Sequence, residues 1–156
     1  MRKSLLFGVV LMLAIVFFSF KTVQAGQDRN VEWQQILKEA HQVQSEHASK
    51  QSTYSEIRSS FIKLFTKESM MIVFREHLIM DGEMFQFGTT DFSPYVIPKN
   101  IGNFSVIEKQ KHQIIVKEKK KEVSEILGES EIRRIITISK TDEGWRISKL
   151  EWDHEV

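Results

Sequence analysis

Apolar residues recur along this chain with two different periods, and the change of period divides it. From Val31 to about His47, the residues Trp33, Ile36, Leu37, Ala40 and Val43 fall three or four apart, which makes one stripe on a helix. Glu32, Gln35, Lys38, Glu39, Gln42 and Glu46 take the other side and face water, and Asp28 or Asn30 supplies the cap. A polar break at residues 48–52 leads into Thr53-Tyr54-Ser55-Glu56, a hydroxyl and a carboxylate three apart as in a capping box. Ile57, Phe61, Leu64 and Phe65 form the inward stripe of a second helix. Thr66 caps a third, with Met70, Met71, Val73, Phe74 and Leu78 directed inward and the methionines as core filler.

Period two takes over after the turn signal Asp81-Gly82. Met84 to Phe87 reads as a short strand, and Gly88 to Ser93 as a loop of small and polar residues. Pro94 and Pro98 bound Tyr95-Val96-Ile97, which places that triplet at a sheet edge or in a loop. The connection from Gly88 to Phe104 is long for a compact domain, and such loops are commonly functional. Four antiparallel strands follow: Phe104–Lys109, Ile114–Glu118, Glu129–Lys140 and Trp145–Trp152. Lys119 to Glu122 and Thr141 to Gly144 are the turns, and Val123 to Leu127 extends one neighbour or the other. On the last strand Trp145 and Ile147 share a parity that Leu150 and Trp152 do not, which predicts a bulge or bend near Ser148-Lys149. Together these elements predict an α+β domain, three N-terminal helices packed on a curved antiparallel sheet of about four to five strands.

The first 25 residues stand apart. Arg2 and Lys3 precede seventeen uncharged positions from Ser4 to Phe20, then Lys21 and Val23-Gln24-Ala25, the layout of a secretory signal peptide cleaved after Ala25. The alternative is an uncleaved membrane anchor, since seventeen positions reach the lower limit of a span. Residues 26–156 then form a single domain. Loss of Arg2, Lys3 and Lys21 with the leader brings the net charge from +1 to −2, against a nucleic-acid partner or adhesion to membranes through a basic surface. With no cysteine in the chain, disulfides, thiol chemistry and thiolate metal sites are excluded.

The order of elements, ending in Gly144-Trp145-Arg146-Ile147, resembles the nuclear transport factor 2-like (cystatin-like roll) superfamily. A second likeness is carried by Phe61, Phe65-Thr66-Lys67-Glu68, Asp81-Gly82 and the run Phe87-Gly88-Thr89-Thr90-Asp91-Phe92-Ser93-Pro94-Tyr95-Val96-Ile97-Pro98. These look like a family of small exported proteins of unknown function from Gram-positive, spore-forming bacteria, the YhfM-like type. The first resemblance implies a pocket between a curved sheet and the helices, and a homodimer through the outer sheet face. The second implies export without an assigned activity. Lys99-Asn100-Ile101 is more polar than that family's pattern.

Asp91 and Tyr95 are four apart in the long loop with Phe92 between them, so an acid and a phenol grip one polar ligand while the ring covers its apolar side. The plainer reading is an aspartate capping its own turn and a tyrosine packed with its hydroxyl at the rim. Arg134 shares the parity of Ile132, Ile136 and Ile138. It binds a carboxylate in the pocket, pairs with Asp91, or lays its stem on apolar neighbours with its head in water. His41 and His47 are six apart, and His77, His112 and His154 lie far apart in sequence, so no metal site is expected. None of HExxH, DxDxDG, GxxxxGK[ST] or GxSxG occurs. No cofactor is expected.

Three functional expectations follow. The first is an exported, non-enzymatic, envelope-associated domain that binds a small molecule or an envelope protein. The second is a small pocket enzyme of hydrolase, isomerase or dehydratase type, with Asp91 or a histidine as base. The third is a membrane-anchored accessory domain that retains residues 4–20.

Overall fold

The computed structural model describes residues 32–89, 93–119 and 133–153. Trp33–Val156 forms one compact unit. The leader and the segment Val123 to Leu127 lie outside the described residues, as do Asp91, Phe92 and Ile132.

Helix α1 spans Trp33–Ser49, and its inward face is Leu37, Ala40, Gln44 and His47. Trp33, Ile36 and Val43 lie half-buried beside that line. The stripe is therefore rotated from the apolar pattern, and its last two members are polar. Helix α2 (Tyr54–Phe61) begins at the expected capping box: Thr53 Oγ1 accepts from the Glu56 amide, and the Glu56 carboxylate accepts from the Thr53 amide. Helix α3 (Lys67–His77) is capped by Thr66, whose hydroxyl accepts from the Ser69 amide at 3.3 Å. Met70, Val73, Phe74 and His77 turn inward, whereas Met71 is exposed.

The chain leaves α3 at Leu78 in an extended conformation, and β1 (Leu78–Asp81) pairs antiparallel with β2 (Met84–Phe87). Gly82 has φ +64°, and among the described residues only Gly144 also has positive φ. A glycine at the first of two central positions suits the type II′ hairpin turn. The outer edge of β2 meets Ser52, which exchanges both backbone hydrogen bonds with Phe85 at 2.8 Å.

The other four strands, β3 (Phe104–Lys109), β4 (Gln113–Glu118), β5 (Arg133–Thr141) and β6 (Gly144–Asp153), form an antiparallel meander in the order β3-β4-β5-β6. A 3₁₀ turn at Ile101–Asn103 leads into β3. The predicted bulge is present: Thr137 pairs with Lys149 but Ile138 with Ile147, so Ser148 is the extra residue. Because Ile136 faces Leu150 and Ile138 faces Ile147, the bulge returns both parities of β6 to one buried side. A second shift between Val106 and Glu108 leaves Ile107 extra on β3, and exposed.

The single curved sheet expected from sequence, and the cystatin-like roll with it, does not form: there are two sheets, one of two strands and one of four. The physical reason lies at residues 78–81. Leu78 reads as the tail of a helix, but its extended backbone together with the Asp81-Gly82 turn closes a hairpin across two residues. So short a loop costs far less entropy than crossing to the larger sheet. The far edge of β2 is then occupied by Ser52 rather than by another strand.

Phe61 sits at the centre of the core. Its ring lies 5.0 Å from Phe74, 5.4 Å from Phe65 and 5.4 Å from Phe87, centroid to centroid. The core reaches the large sheet through Phe65, which bridges to Ile147 on the outer edge of β6. There the Thr66 amide donates to the Ile147 carbonyl and the Ile147 amide to Leu64.

Candidate functional site

Tyr95-Val96-Ile97 is not a strand. It is a turn and loop whose Val96 and Ile97 are buried. A buried loop must find partners for its backbone polar groups, and here side chains provide them. From α1, Gln44 is fully buried and uses both ends of its amide: Nε2 donates to the Tyr95 carbonyl and Oε1 accepts from the Ile97 amide, each at 2.8 Å. His41, one turn earlier, donates from Nδ1 to the Ile97 carbonyl at 2.8 Å.

From α3, the buried His77 spans the start and the middle of the loop. Its Nδ1 donates to the Gly88 carbonyl at 2.8 Å, and its own carbonyl accepts from the Gly88 amide at 2.7 Å. A Cβ at Gly88 would stand 3.0 Å from Ile79 Cδ1, which would have to give by a few tenths of an ångström, and 3.4 Å from the His77 carbonyl oxygen, an ordinary contact. A carbonyl only accepts, so Nδ1 carries the hydrogen. In the neutral ring Nε2 is then an acceptor. Ser93 Oγ, 2.5 Å away, donates to it. The same oxygen accepts from the Tyr95 amide at 3.2 Å, the local turn that serine hydroxyls favour.

From β5, Arg134 reaches the same serine. Its Nε donates to the Ser93 carbonyl at 3.2 Å, and its Nη1 donates to both oxygens of Glu118, at 2.9 and 3.2 Å. The guanidinium lies over the Trp152 ring, 5.1 Å from its centroid. Arg134 and Glu118 are both buried. The expectation of an arginine head in water is thus replaced by a buried ion pair. Its partner is a glutamate on the neighbouring strand, and the guanidinium is not an open grip for a ligand carboxylate.

Of the four residues singled out from sequence, Tyr95 and Arg134 are brought to one loop, and Asp91 and Phe92 lie outside the described residues. Tyr95 is half-buried, with its ring edge-on to His77 at 6.2 Å. Among the described residues no group hydrogen-bonds its hydroxyl. Sequence reasoning missed Gln44, His77, Ser93 and Glu118. Gln44 carries the signal of a polar residue on the spacing Leu37, Ala40, Gln44, His47. Glu118 shares the parity of Ile114 and Val116 as Arg134 shares that of Ile136 and Ile138. Opposite charges at matching ends of two inward faces are the sequence signal of a buried pair.

A second buried histidine, His47, joins α1 to α2 and β2. Ser60 donates its hydroxyl to the Glu56 carbonyl, so it accepts from His47 Nε2 at 3.3 Å, and Ser52 donates to Nδ1 at 3.1 Å. Burial holds the His47 imidazole below its ordinary pKa, because the charged ring loses water that two hydroxyls do not replace.

Among the described residues no three histidine or acidic side chains gather to hold a metal ion, and no helix is long and apolar enough to cross a membrane. The sequence model described as "Protein of unknown function (DUF3993)" matches residues 29–120, more than half of the chain. No curated protein and no solved structure matches it.

Proposed function

The chain belongs to the DUF3993 family, and from that premise we propose that it is an exported, envelope-associated binding domain whose contact surface is the loop that carries Tyr95. The observation behind this reading is the way residues 93–97 are held. Four buried or half-buried side chains, His41, Gln44, His77 and Arg134, are committed to fixing one short segment of backbone. Burying that many polar groups is costly unless each is paired. A loop fixed in advance loses less entropy when it binds. The half-buried Tyr95 ring and its hydroxyl are what this segment offers to a ligand.

The proposed address rests on the basic start, uncharged run and Val23-Gln24-Ala25 of the leader. It agrees with the likeness to small exported proteins of Gram-positive, spore-forming bacteria. The proposed ligand is a small polar molecule or an extended segment of an envelope protein that accepts from, or donates to, a phenol. Because Glu118 already holds Arg134, an acidic ligand gripped by that guanidinium is not part of the reading.

The test is thermal unfolding of the protein isolated from its own cells, against envelope fragments, peptides and small metabolites. A ligand at a hundred times its dissociation constant stabilises by about 2.7 kcal/mol, enough to raise the midpoint by about 5 °C or more. The expected result is a shift that Tyr95→Ala abolishes while leaving the unliganded midpoint within about 2 °C. A shift untouched by Tyr95→Ala would place binding elsewhere and sink the proposal. The size of the isolated chain separates a cleaved leader from a retained anchor.

A further inference from the structure

The contact between His77 and Ser93 has a chemical meaning beyond holding a loop. We propose that Ser93 is a nucleophile and His77 its general base, a serine–histidine pair that takes up and releases the acyl group of a small ester. The hydroxyl of Ser93 donates to Nε2 at 2.5 Å, the arrangement in which a base receives the proton as the oxygen attacks. The other ring nitrogen donates to the Gly88 carbonyl at 2.8 Å. That carbonyl occupies the place a carboxylate takes in a triad: it selects the tautomer with a bare Nε2 and steadies the imidazolium that forms. Phe87, at 5.5 Å, and Tyr95, at 6.2 Å, fix the plane of the ring. Arg134 is a positioning residue, since its Nε holds the Ser93 carbonyl while Glu118 holds the guanidinium. The helix and the loop thus meet at the Ser93 hydroxyl, the hairpin end holds the histidine, and the sheet holds the serine's carbonyl.

The steps balance without any oxidant or cofactor. As Ser93 Oγ bonds to the ester carbonyl carbon, its proton passes to His77 Nε2. The carbon–oxygen bond to the alcohol breaks, and the departing alkoxide takes the proton from Nε2. Water then attacks the acyl-serine, giving one proton to Nε2. The acid leaves as Ser93 Oγ recovers that proton. Ser93 retains only 7% of its surface open, which limits the substrate to a short acyl group.

This inference uses the same loop as the binding proposal but stands separately from it: a ligand that binds at Tyr95 without acylating Ser93 would leave only the binding proposal in place. The test is incubation of the intact protein with a small alkyl fluorophosphonate, followed by mass mapping. One adduct per chain on Ser93, formed about 100-fold more slowly in His77→Asn, is the expected result. The asparagine amide keeps a donor toward Gly88 but removes the base, and general bases contribute at least this much. No adduct on Ser93, or an undiminished rate in His77→Asn, overturns the proposal. If that variant does not fold, Ser93→Cys decides, because the chain has no other thiol. A histidine-paired thiol reacts with iodoacetamide faster than the same thiol in urea-unfolded chain. A rate equal to or below that of the unfolded chain overturns it.

Discussion

Phe61 and Ser93 are both buried, but they are held in place by different forces. Around Phe61 the neighbours are rings, packed at 5.0 to 5.4 Å. Around Ser93 they are an imidazole, a guanidinium and a backbone amide, each through a directed hydrogen bond. Apolar packing is graded: it weakens in proportion to what is removed, and neighbours partly refill the space. A hydrogen-bonded cluster fails stepwise, because deleting one partner strands the other without water. The aromatic centre therefore supplies stability, while the polar cluster specifies one conformation of one loop.

Substitutions that separate these roles sharpen the contrast. Phe61→Ala removes the ring that links α2, α3 and β2, and should cost about 3–5 kcal/mol in urea unfolding. The loss should be global, with tryptophan fluorescence and far-ultraviolet circular dichroism falling together. A loss under about 1 kcal/mol would show that the core is centred elsewhere.

Glu118→Leu removes the carboxylate from a buried ion pair and should cost about 3–5 kcal/mol. The double change Glu118→Leu with Arg134→Met should recover most of that, since apolar replacements of a buried pair are often neutral. It should nevertheless free the Ser93 carbonyl, seen as faster amide exchange at Tyr95. Unchanged exchange in a folded double variant would mean that the pair does not position the loop.

Gln44→Leu leaves the Tyr95 carbonyl and the Ile97 amide unpaired, at about 1–3 kcal/mol for each stranded group. Its signature is local, with loss of protection at Ile97 before the core opens. If protection is lost everywhere at once, loop and core are one cooperative unit.

The smallest effect is the pH dependence that His47 imposes. Its folded pKa lies below the unfolded value of 6.5 because of burial. Between the two values the unfolded chain binds the extra proton, so stability rises with pH across that window. It is full above about 6.5, and it is lost as pH falls through the lowered folded value. His47→Gln should flatten this part of the profile, measured as unfolding midpoint against pH. A slope of the same size in the variant would assign it to other groups.

Much of the architecture was legible because it is local. Both capping boundaries, Thr53 and Thr66, follow from hydroxyl spacing. The four strands of the meander follow from period two and turn residues, and the Ser148 bulge from a change of parity. The tail of α3 was not legible. Leu78 continues the helical stripe, and only the hairpin it forms with Phe87 makes it a strand. The surroundings of the loop were less legible. Tyr95 and Arg134 stood out as odd residues in a loop and on an apolar face. Gln44, His77, Ser93 and Glu118 are ordinary polar residues until something distant pairs with them.

By itself the sequence determined that three helices precede the strands, the caps of the second and third, the meander, the bulge and the length of the loop between β2 and β3. Each depends on residues a few positions apart, where sterics and hydrogen-bond reach act directly. Only the tertiary structure decided that the strands divide into two sheets, that Arg134 meets Glu118, and that His77 meets Ser93. Those pairings join residues 16 positions apart, and Gln44 meets Ile97 across 53. Such contacts form when the packed core holds the partners within reach and shuts out the water that would otherwise satisfy them.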